Sequence, residues 1–505
     1  MKRKSKMTAA AAGMAVWAVL LFALTAAERG TGGGIRTVWD AAWYSIVTLT
    51  TAGYGDIVPV TVAGRLIGIL LMVMSVGLWA ALIGAVWTSL RESLMPSWRL
   101  VLAERKQWYV FSERNEESEA LARDLLKQNP DSRAVFCAES GVSLRTARSF
   151  GLSAPMNIQE LMETRAAGKG RRTVFLMNRD GWANASAAQS PVFRGADVYS
   201  RGTEAEAVPG VRCFDPAVLC ARQYWLGRPA GPEESVFLLF GDGGRARALL
   251  CEGLTACCRE PFYRSEFHVF GDWADFRRMH PELDGVVFHE ESRSADRDLL
   301  ERADRIILAA EDGRVNAETA AAMNRAFPLR AAVHAATALP AACSERFGLP
   351  EQIYTGELVM RQSLDRLAAA LHRAYGRQTG NGTPWDSLSP FLKDSNRDAA
   401  DHLLTKIRLL LPEEDIRRAD KDACGRAAAR YAALSGDEKE NCLRNEHARW
   451  CLFHILHNWR YAPVRDDSRR LHPCLTPYEN LSETDRNKDG TAWEIIGRIP
   501  EEADL

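Results

Sequence analysis

The most unusual chemistry in the sequence lies in a short polar segment, Thr51-Ala52-Gly53-Tyr54-Gly55-Asp56, between two apolar stretches. At membrane depth, backbone that is not helical is tolerated only where it is buried in protein or lines water. Gly53 and Gly55 can adopt backbone angles that residues with a side chain avoid. An extended chain at this position can therefore turn its carbonyl groups inward.

A second segment with the spacing of a binding site is Gly241-Asp242-Gly243-Gly244-Arg245-Ala246, which approximates GxGxxG with Ala246 at the third position. It follows a predicted strand and opens a predicted helix, whose N-terminal amides point at an anion. Asp242 opposes a pyrophosphate there, and Arg245 compensates. Asp272 follows the next strand, where an acid can hold a ribose hydroxyl. The sequence predicts a nucleotide site at Gly241, Gly243, Arg245, Ala246 and Asp272; the alternative is a nucleotide-free scaffold.

The last quarter of the chain combines aromatic and basic residues, which suits a ligand with a base to stack and phosphates to pair. The residues are Trp385, Arg397, Arg449, Trp450, Trp459 and Arg460. The alternative interpretation is that the tryptophans are core residues and the arginines form a solvated face. His454 and His457 are one helical turn apart, near His447, but no cysteine or carboxylate completes a clear ligand set, so we predict no zinc site.

Composition argues against several classes of protein. The 505 residues have a formal net charge of -1 and 26% charged residues, unlike a protein that binds nucleic acid over a large surface. The eleven cysteines contain no CxxC pair, which favours a reducing compartment over disulfides or zinc. None of the eleven tyrosines has a lysine four residues later, as a Tyr-x-x-x-Lys dehydrogenase pair requires, so we predict no enzyme.

Two apolar segments, residues 9–27 and 66–90, each reach the roughly 20 residues that a helix needs to cross a bilayer. We interpret the first as a span and not as a cleaved signal peptide, because no convincing cleavage site precedes Glu28 and a second span follows. Residues 38–49 are apolar but too short to cross, as a re-entrant pore helix is. Lys2, Arg3, Lys4 and Lys6 place both termini in the cytoplasm by the positive-inside rule.

With a pore-length helix before it, an acid after it and a span on each side, the segment 51–56 resembles the selectivity filter of potassium channels. The resemblance implies that the carbonyl oxygens of Thr51, Ala52, Gly53 and Tyr54 replace the hydration shell of K⁺, with Gly55 and Asp56 completing the filter. Ala52 stands where valine is commonest, which leaves the strictness of K⁺ selectivity open. One chain supplies one filter strand, so four copies are implied.

Gating is not expected to respond to voltage, because no arginine-rich span precedes the pore. In similar channels the inner helix bends at a glycine, and Gly77, near the middle of the second span, is the predicted hinge. The alternative is that small residues merely let helices approach closely.

Beyond the pore, the pattern alternates strands and helices twice, at residues 105–230 and 233–376. This alternation is typical of a parallel doubly wound sheet. The tandem layout resembles the regulator-of-potassium-conductance (RCK) domains of prokaryotic channels. The first lobe has SERNEE where glycines would stand, so we expect its crevice to be degenerate.

The C-terminal region, roughly residues 385–497, resembles the ryanodine-receptor (RyR) repeat domain. The resemblance rests on HPCLTPYENL and on Glu446, His447, Trp450, Trp459, Tyr461, His472 and Tyr478. It implies a domain that senses a ligand or a partner, with these residues and Trp385, Arg397, Arg449 and Arg460 as candidate contacts.

Together these features predict a multidomain chain. It has an α-helical two-span pore module at 1–95, α/β Rossmann-like lobes at 105–230 and 233–376, and a mainly α-helical RyR-like domain at 385–497. We predict a homotetrameric K⁺ channel in the inner (plasma) membrane of a prokaryote, gated by a nucleotide or cyclic nucleotide. The alternative is a membrane-anchored nucleotide sensor with a non-conducting or poorly selective pore. K⁺ at the filter is the only metal expected.

Overall fold

The computed structural model describes residues 2–50, 52–89, 107–137, 152–154, 158–163, 172–203, 206–231, 233–290, 296–326, 329–380 and 382–499. Side chains are described from residue 15 onward within these ranges, except at 74–75, 77–82, 85–86, 88–89, 152–154 and 160. The chain divides into two compact units, Met1–Ala103 and Glu104–Leu505.

The N-terminal unit contains helices α1 (Lys2–Glu28), α2 (Val38–Leu49) and α3 (Val62–Ser89). α2 begins at a capping box, in which the amide of Asp40 donates to the Thr37 hydroxyl and the amide of Thr37 donates to the Asp40 carboxylate. Among the described residues, no helix combines the length and the apolar character needed to cross a membrane. The predicted spans at 9–27 and 66–90 both include residues whose side chains lie outside the described set.

The first lobe of the C-terminal unit is a parallel six-stranded sheet in the order β3-β2-β1-β4-β5-β6. Its elements are β1 (Trp108–Phe111), α4 (Glu116–Gln128), β2 (Arg133–Cys137), β3 (Leu152–Ala154), α5 (Ile158–Glu163), β4 (Arg172–Leu176), α6 (Gly181–Ala188), β5 (Asp197–Arg201) and β6 (Arg212–Phe214). Phe111 lies opposite Phe136 and Phe175 in register, so that its ring stacks at 5.0 and 4.9 Å on theirs. Aromatic packing of this kind across adjacent strands fixes the register.

Helix α7 (Pro216–Gly227) leads to the second lobe, a parallel sheet in the order β12-β11-β10-β7-β8-β9. Its elements are β7 (Val236–Phe240), α8 (Gly244–Ala256), β8 (Glu266–Phe270), α9 (Ala274–Met279), β9 (Val286–His289), α10 (Arg297–Arg302), β10 (Arg305–Leu308), α11 (Gly313–Ala326), β11 (Ala332–Ala335) and β12 (Glu345–Arg346). In both lobes the first strand lies between the second and the fourth, which is the doubly wound order. α7 packs on α8, where the indole of Trp225 donates to Leu249 O at 2.9 Å.

The remaining residues are mainly helical. They form α12 (Pro350–Ile353), α13 (Gly356–Val359), α14 (Arg366–Thr379), α15 (Pro390–Asp401), α16 (Leu403–Leu410), α17 (Lys421–Ala432), α18 (Gly436–Leu456), β13 (Arg460–Tyr461), β14 (Leu471–His472) and α19 (Glu483–Glu494). Ile407, Cys424, Trp493 and Ile496 lie in their shared apolar core. A helical N-terminal module, two Rossmann-like lobes and a mainly helical C-terminal domain confirm the predicted fold class.

Candidate functional site

The candidate filter follows α2 as a segment without regular secondary structure. The amides of Ala52 and Gly53 both donate to Val47 O, at 3.1 and 3.3 Å. Gly53 and Gly55 have φ of +57° and +72°, in the left-handed region that side chains disfavour. Glycine is therefore required at both positions, while Thr51 lies outside the described residues.

The end of the segment is fastened to the helix before it. The Trp43 indole donates to the Asp56 carboxylate at 3.1 Å, and its ring stacks on Tyr54 with centroids 6.3 Å apart. One aromatic residue of α2 thus positions two of the predicted filter residues.

A carboxylate that sequence reasoning missed holds the connection to α3. Glu28, at the end of α1, is buried and accepts hydrogen bonds from Val60 N at 3.1 Å, Thr61 N at 2.9 Å and Thr61 Oγ1 at 2.7 Å. The only signal in the sequence is an acid directly after an apolar span. The predicted hinge Gly77 lies within α3, but its surroundings are outside the described set, so its role stays a prediction.

In the second lobe, the turn between β7 and α8 and the start of α8 contain Gly241, Gly243, Arg245 and Ala246, and Asp272, which follows β8, contacts this turn through its amide. Gly241 has φ +129°, and a Cβ there would lie 2.8 Å from Ala310 N, so the backbone requires glycine. Ala246 is fully buried, which allows the helix to pack closely on the sheet. Gly243 is the N-cap residue of α8 and, being glycine, has no side chain that could accept a hydrogen bond from the first amides of the helix.

Carboxylates of the same chain already occupy this turn. The amide of Arg245 donates to Glu311 Oε1 at 3.0 Å, and the amide of Asp272 donates to Asp242 Oδ2 at 2.8 Å. The Asp272 carboxylate accepts from Ala274 N at 3.2 Å. The Asp242 carboxylate therefore contacts the backbone amide of Asp272, the predicted ribose-binding residue. Glu311 is a second anion at this turn, which the sequence did not indicate.

The equivalent turn of the first lobe is closed by its own residues. Asn115 and Ser118 form a capping box at the start of α4, at 2.8 and 2.9 Å. Glu116, Glu117 and Glu119 lie in the first turn. Three carboxylates near the positive end of a helix dipole oppose a second anion.

A cavity of about 550 Å³ lies in the C-terminal helical domain. The predicted residues on its wall are Glu446, His447, Arg449, Trp450, Trp459 and His472. Trp385, Arg397, Arg460, Tyr461 and Tyr478 lie outside its lining. The structure thus brings together about half of the predicted ligand residues.

Aromatic side chains dominate the cavity wall. Phe391 stacks on Trp459 with ring centroids 5.3 Å apart. The ring centroid of Trp450 lies 3.8 Å from that of His454 and 4.9 Å from that of His472. Such a wall offers π-faces to a planar ligand. Phe391 and His454 were missed as ligand contacts because neither belongs to the residues that carry the resemblance to the RyR domain.

Beneath the aromatic wall lies a buried group of charges. Arg449 donates to both oxygens of Glu446, at 3.1 and 2.6 Å, and to Asp398, while Lys406 lies 2.7 Å from Glu446. Burial alone would raise the pKa of Glu446, but the charges of Arg449 and Lys406 lower it well below its usual value. Arg397 is likewise paired, at 2.5 Å with Asp365 and 2.6 Å with Asp394. The prediction that Arg397 and Arg449 pair with phosphate is thus opposed by their ion pairs within the protein.

Two polar atoms on the cavity wall have no hydrogen-bond partner among the described residues: Trp459 Nε1 and Asp489 Oδ2. Burial raises the pKa of Asp489 to about 8, and the nearby charge of Glu446 adds to this. The raised pKa favours the protonated carboxyl, whose Oδ2 lies 3.6 Å from His447 Nδ1. Sequence reasoning missed Asp489, because it lies beyond the conspicuous motif. The described residues contain no group of three His, Cys, Asp or Glu that fits a metal ion.

The C-terminal domain also terminates α8 of the second lobe. Thr405 Oγ1 donates to Ala256 O at 2.7 Å, and His402 Nε2 donates to Cys258 O at 2.7 Å. Asn445 adds bonds to Cys258 O at 3.1 Å and Glu260 O at 2.8 Å. Ala256 O is a carbonyl that the helix end leaves unpaired, and the carbonyls of Cys258 and Glu260 belong to the loop that follows it. α8 thus extends from the glycine turn to the domain that contains the cavity.

Comparison with known proteins matches two parts of the chain. Residues 11–92 match the family model of ion channels, and residues 437–496 match that of the RyR domain. A voltage-gated potassium channel of Aeropyrum pernix is 43% identical over 61 residues, 12% of this chain and 21% of the relative. A cyclic nucleotide-gated potassium channel of Rhizobium etli is 37% identical over 69 residues, 13% of this chain and 19% of the relative.

The calcium-gated potassium channel TvoK of Thermoplasma volcanium is 44% identical over 48 residues, 10% of this chain and 14% of the relative. The chain therefore matches at most 21% of the length of these curated relatives, which are ion channels and not enzymes.

Among solved structures, GsuK bound to ADP is 15% identical, covers 70% of this chain and 98% of that chain, and gives a TM-score of 0.39. The GsuK channel bound to NAD is 13% identical, covers 72% of this chain and 85% of that chain, and gives 0.37. The matched models and the observed folds confirm the predicted architecture: an ion-channel module of a membrane protein, two Rossmann-like lobes and a RyR domain in one polypeptide.

Proposed function

We propose that the chain forms a homotetrameric K⁺ channel whose pore opens or closes when a nucleotide-type ligand binds in the cytosolic C-terminal unit. The observation that carries the channel proposal is the segment after α2. Gly53 and Gly55 have positive φ angles, and Trp43 anchors Asp56, so an irregular and exposed backbone follows α2 within the residues that match the ion-channel model. Carbonyl oxygens of such a backbone replace the hydration shell of a permeant ion.

The exposure of this segment in a single chain favours assembly. Residues 52–56 are all exposed, and Tyr54 has 70% of its surface accessible. One strand of carbonyls cannot surround an ion, so several copies are needed around a common axis. We propose four copies around this axis. We also propose that the pore lies in the plasma membrane of a prokaryote, with both termini in the cytoplasm.

For the gating ligand, we propose the aromatic cavity of the RyR domain as the binding site. Trp450, Trp459 and Phe391 provide faces for a base. Trp459 Nε1, which has no hydrogen bond, and Asp489, which lies 3.6 Å from His447 Nδ1, provide polar groups for its edge. Arg465 and Lys488 also line the cavity; they pair with Asp467 and Asp485, but both cations are exposed and can exchange these partners for a phosphate. This combination of aromatic faces, edge contacts and cations fits a nucleotide.

The energy that gating demands from each site is modest. Moving a two-state gate from 1:99 to 99:1 needs about 5.5 kcal/mol in total, or about 1.4 kcal/mol per subunit across four sites. The ligand supplies this only through its preference for one state of the cytosolic domains.

The conduction proposal is tested by K⁺ flux from liposomes that contain the purified protein. We expect flux from the wild type and from Gly30→Asp, and no flux from Gly53→Asp. Gly30 and Gly53 both have positive φ and lie in the same unit, but only Gly53 belongs to the filter segment. Absence of wild-type flux under every nucleotide tested would overturn the channel and favour a membrane-anchored sensor.

The ligand proposal is tested by thermal-shift screening of nucleotides and cyclic dinucleotides against the full chain. We expect a hit that stabilises the wild type and Trp385→Leu but not Trp450→Leu. Both tryptophans are half-buried in the same domain, and only Trp450 lines the cavity. Equal stabilisation of both variants would place the site elsewhere.

A further inference from the structure

The anion position of the second lobe is occupied by a side chain of the same protein. Glu311 follows β10, which lies beside β7 where the strand order reverses, and ligands of doubly wound sheets bind at this crevice. Its Oε1 accepts the hydrogen bond from Arg245 N at 3.0 Å, and its Oε2 lies 3.7 Å from the Arg245 guanidinium. An amide in the first turn of α8 and a neighbouring cation thus bind a carboxylate, as they would bind a phosphate.

The turn is shaped around this carboxylate. A Cβ at Gly243 would lie 2.6 Å from both Cγ and Oε1 of Glu311, so glycine provides the space that Glu311 fills. The Arg245 guanidinium also donates to Ala310 O at 3.1 Å, which keeps it beside Glu311. Nevertheless, the Glu311 side chain is 59% exposed, so leaving the turn breaks few other contacts.

We propose that Glu311 is a built-in competitor for phosphate, so that the second lobe binds a nucleotide or another phosphorylated ligand only when Glu311 leaves the N-terminus of α8. The same contact makes the lobe self-capped in the absence of a ligand. Asp242, whose carboxylate bonds to Asp272 N, adds a second negative charge at the entrance. The inference concerns binding to the lobe and does not depend on ion conduction or on the cavity of the RyR domain.

The test measures pyrophosphate binding to the full chain in detergent by calorimetry. Pyrophosphate has no base to stack on the aromatic cavity, and any binding to Arg465 and Lys488 there is common to the wild type and to all the variants. Glu311→Asp retains the charge but withdraws the carboxylate by one methylene from Arg245 N, and Glu311→Gln removes the charge. Glu318→Gln is the matched control, because Glu318 is an equally exposed acid of the same lobe, paired with Arg314.

We expect both Glu311 variants to bind pyrophosphate about tenfold more tightly than the wild type, the effect of one charge-assisted hydrogen bond, and Glu318→Gln to match the wild type. Equal binding by all four proteins, or weaker binding by the Glu311 variants, would overturn the proposal. A gain in Glu311→Gln without a gain in Glu311→Asp would also overturn it, because charge alone, and not occupancy of the turn, would then decide the affinity. A gain shared by Glu318→Gln would do the same.

Discussion

The two Rossmann-like lobes have the same strand order but complete the ends of their first helices differently. α4 of the first lobe is capped by its immediate neighbours, Asn115 and Ser118. α8 of the second lobe has its N-terminal amide satisfied by Glu311, 66 residues away, and the carbonyls of Ala256 at its C-terminus and Cys258 just beyond it satisfied by Thr405 and His402 of the C-terminal helical domain. A helix completed by distant groups responds to whatever moves those groups, whereas a locally capped helix does not.

The same difference appears in the helices that pack on α4 and on α8. Short helices α12 and α13 pack on α4, where Gly356 N donates to Asp124 at 2.8 Å. α8 instead contacts α15 and α18 of the RyR domain, close to the charges that underlie the cavity. The two lobes share one apolar core, so we expect the difference at their first helices: α8 should lose structure together with the C-terminal helical domain, and α4 should depend less on that domain.

The largest test of this asymmetry is Arg222→Ala. Arg222, on α7, is buried and donates to Asp401 at 2.6 Å, Asp365 at 2.7 Å and Leu364 O at 3.0 Å. Its removal leaves buried carboxylates without this partner, so the free energy of unfolding should fall by about 3–5 kcal/mol. Denaturant unfolding of the full chain measures the loss.

Hydrogen exchange then assigns the loss to a region. Exchange should rise in α8 and α15 and change little in α4. The control is Arg314→Ala, which breaks an exposed pair with Glu318 and should change stability by about 0.5 kcal/mol or less. Equal exchange in α4 and α8 would contradict the asymmetry.

The sequence predicted the features that depend on neighbouring residues. Local sequence patterns indicate the glycines of the segments 51–56 and 241–246, helix α2, and the alternation of strands and helices. The structure contains these elements. Glu28, Glu311 and Asp489 were missed because each acts on a residue that only the fold brings near. Arg449 was assigned to phosphate because its charge is visible in the sequence, whereas its partner Asp398 lies 51 residues away; Glu446, three residues before Arg449, was itself assigned to the ligand.

A second test uses pH, because the first lobe contains no histidine between residues 105 and 230. Burial, with the charges of Lys406 and Arg449, lowers the pKa of His402 to about 3, although Glu446 opposes this. The folded chain therefore keeps His402 neutral while the unfolded chain protonates it near 6.5. Stability is present above pH 6.5 and is lost at about 1.4 kcal/mol per pH unit as the pH falls towards 3.

Between pH 6.5 and pH 5 this amounts to about 2 kcal/mol from His402. His402→Gln should make the pH dependence of unfolding shallower by that amount, with a residual slope from His334 and His454, whose pKa values burial also lowers. Increased exchange should appear first around Cys258 and not in α4. An unchanged slope in His402→Gln would show that this histidine does not report on the docking of the RyR domain.

The smallest expected effect compares the two caps directly. Asn115→Ala removes the acceptor for Ser118 N and should cost about 1 kcal/mol, as loss of a local N-cap does. Glu311→Ala should cost less, because an exposed and distant side chain loses more freedom when it binds Arg245 N. Both costs are measured by denaturant unfolding without pyrophosphate. If Glu311→Ala costs as much as Asn115→Ala, Glu311 is a structural cap that a phosphate cannot readily displace, and the two lobes differ only in where their caps come from.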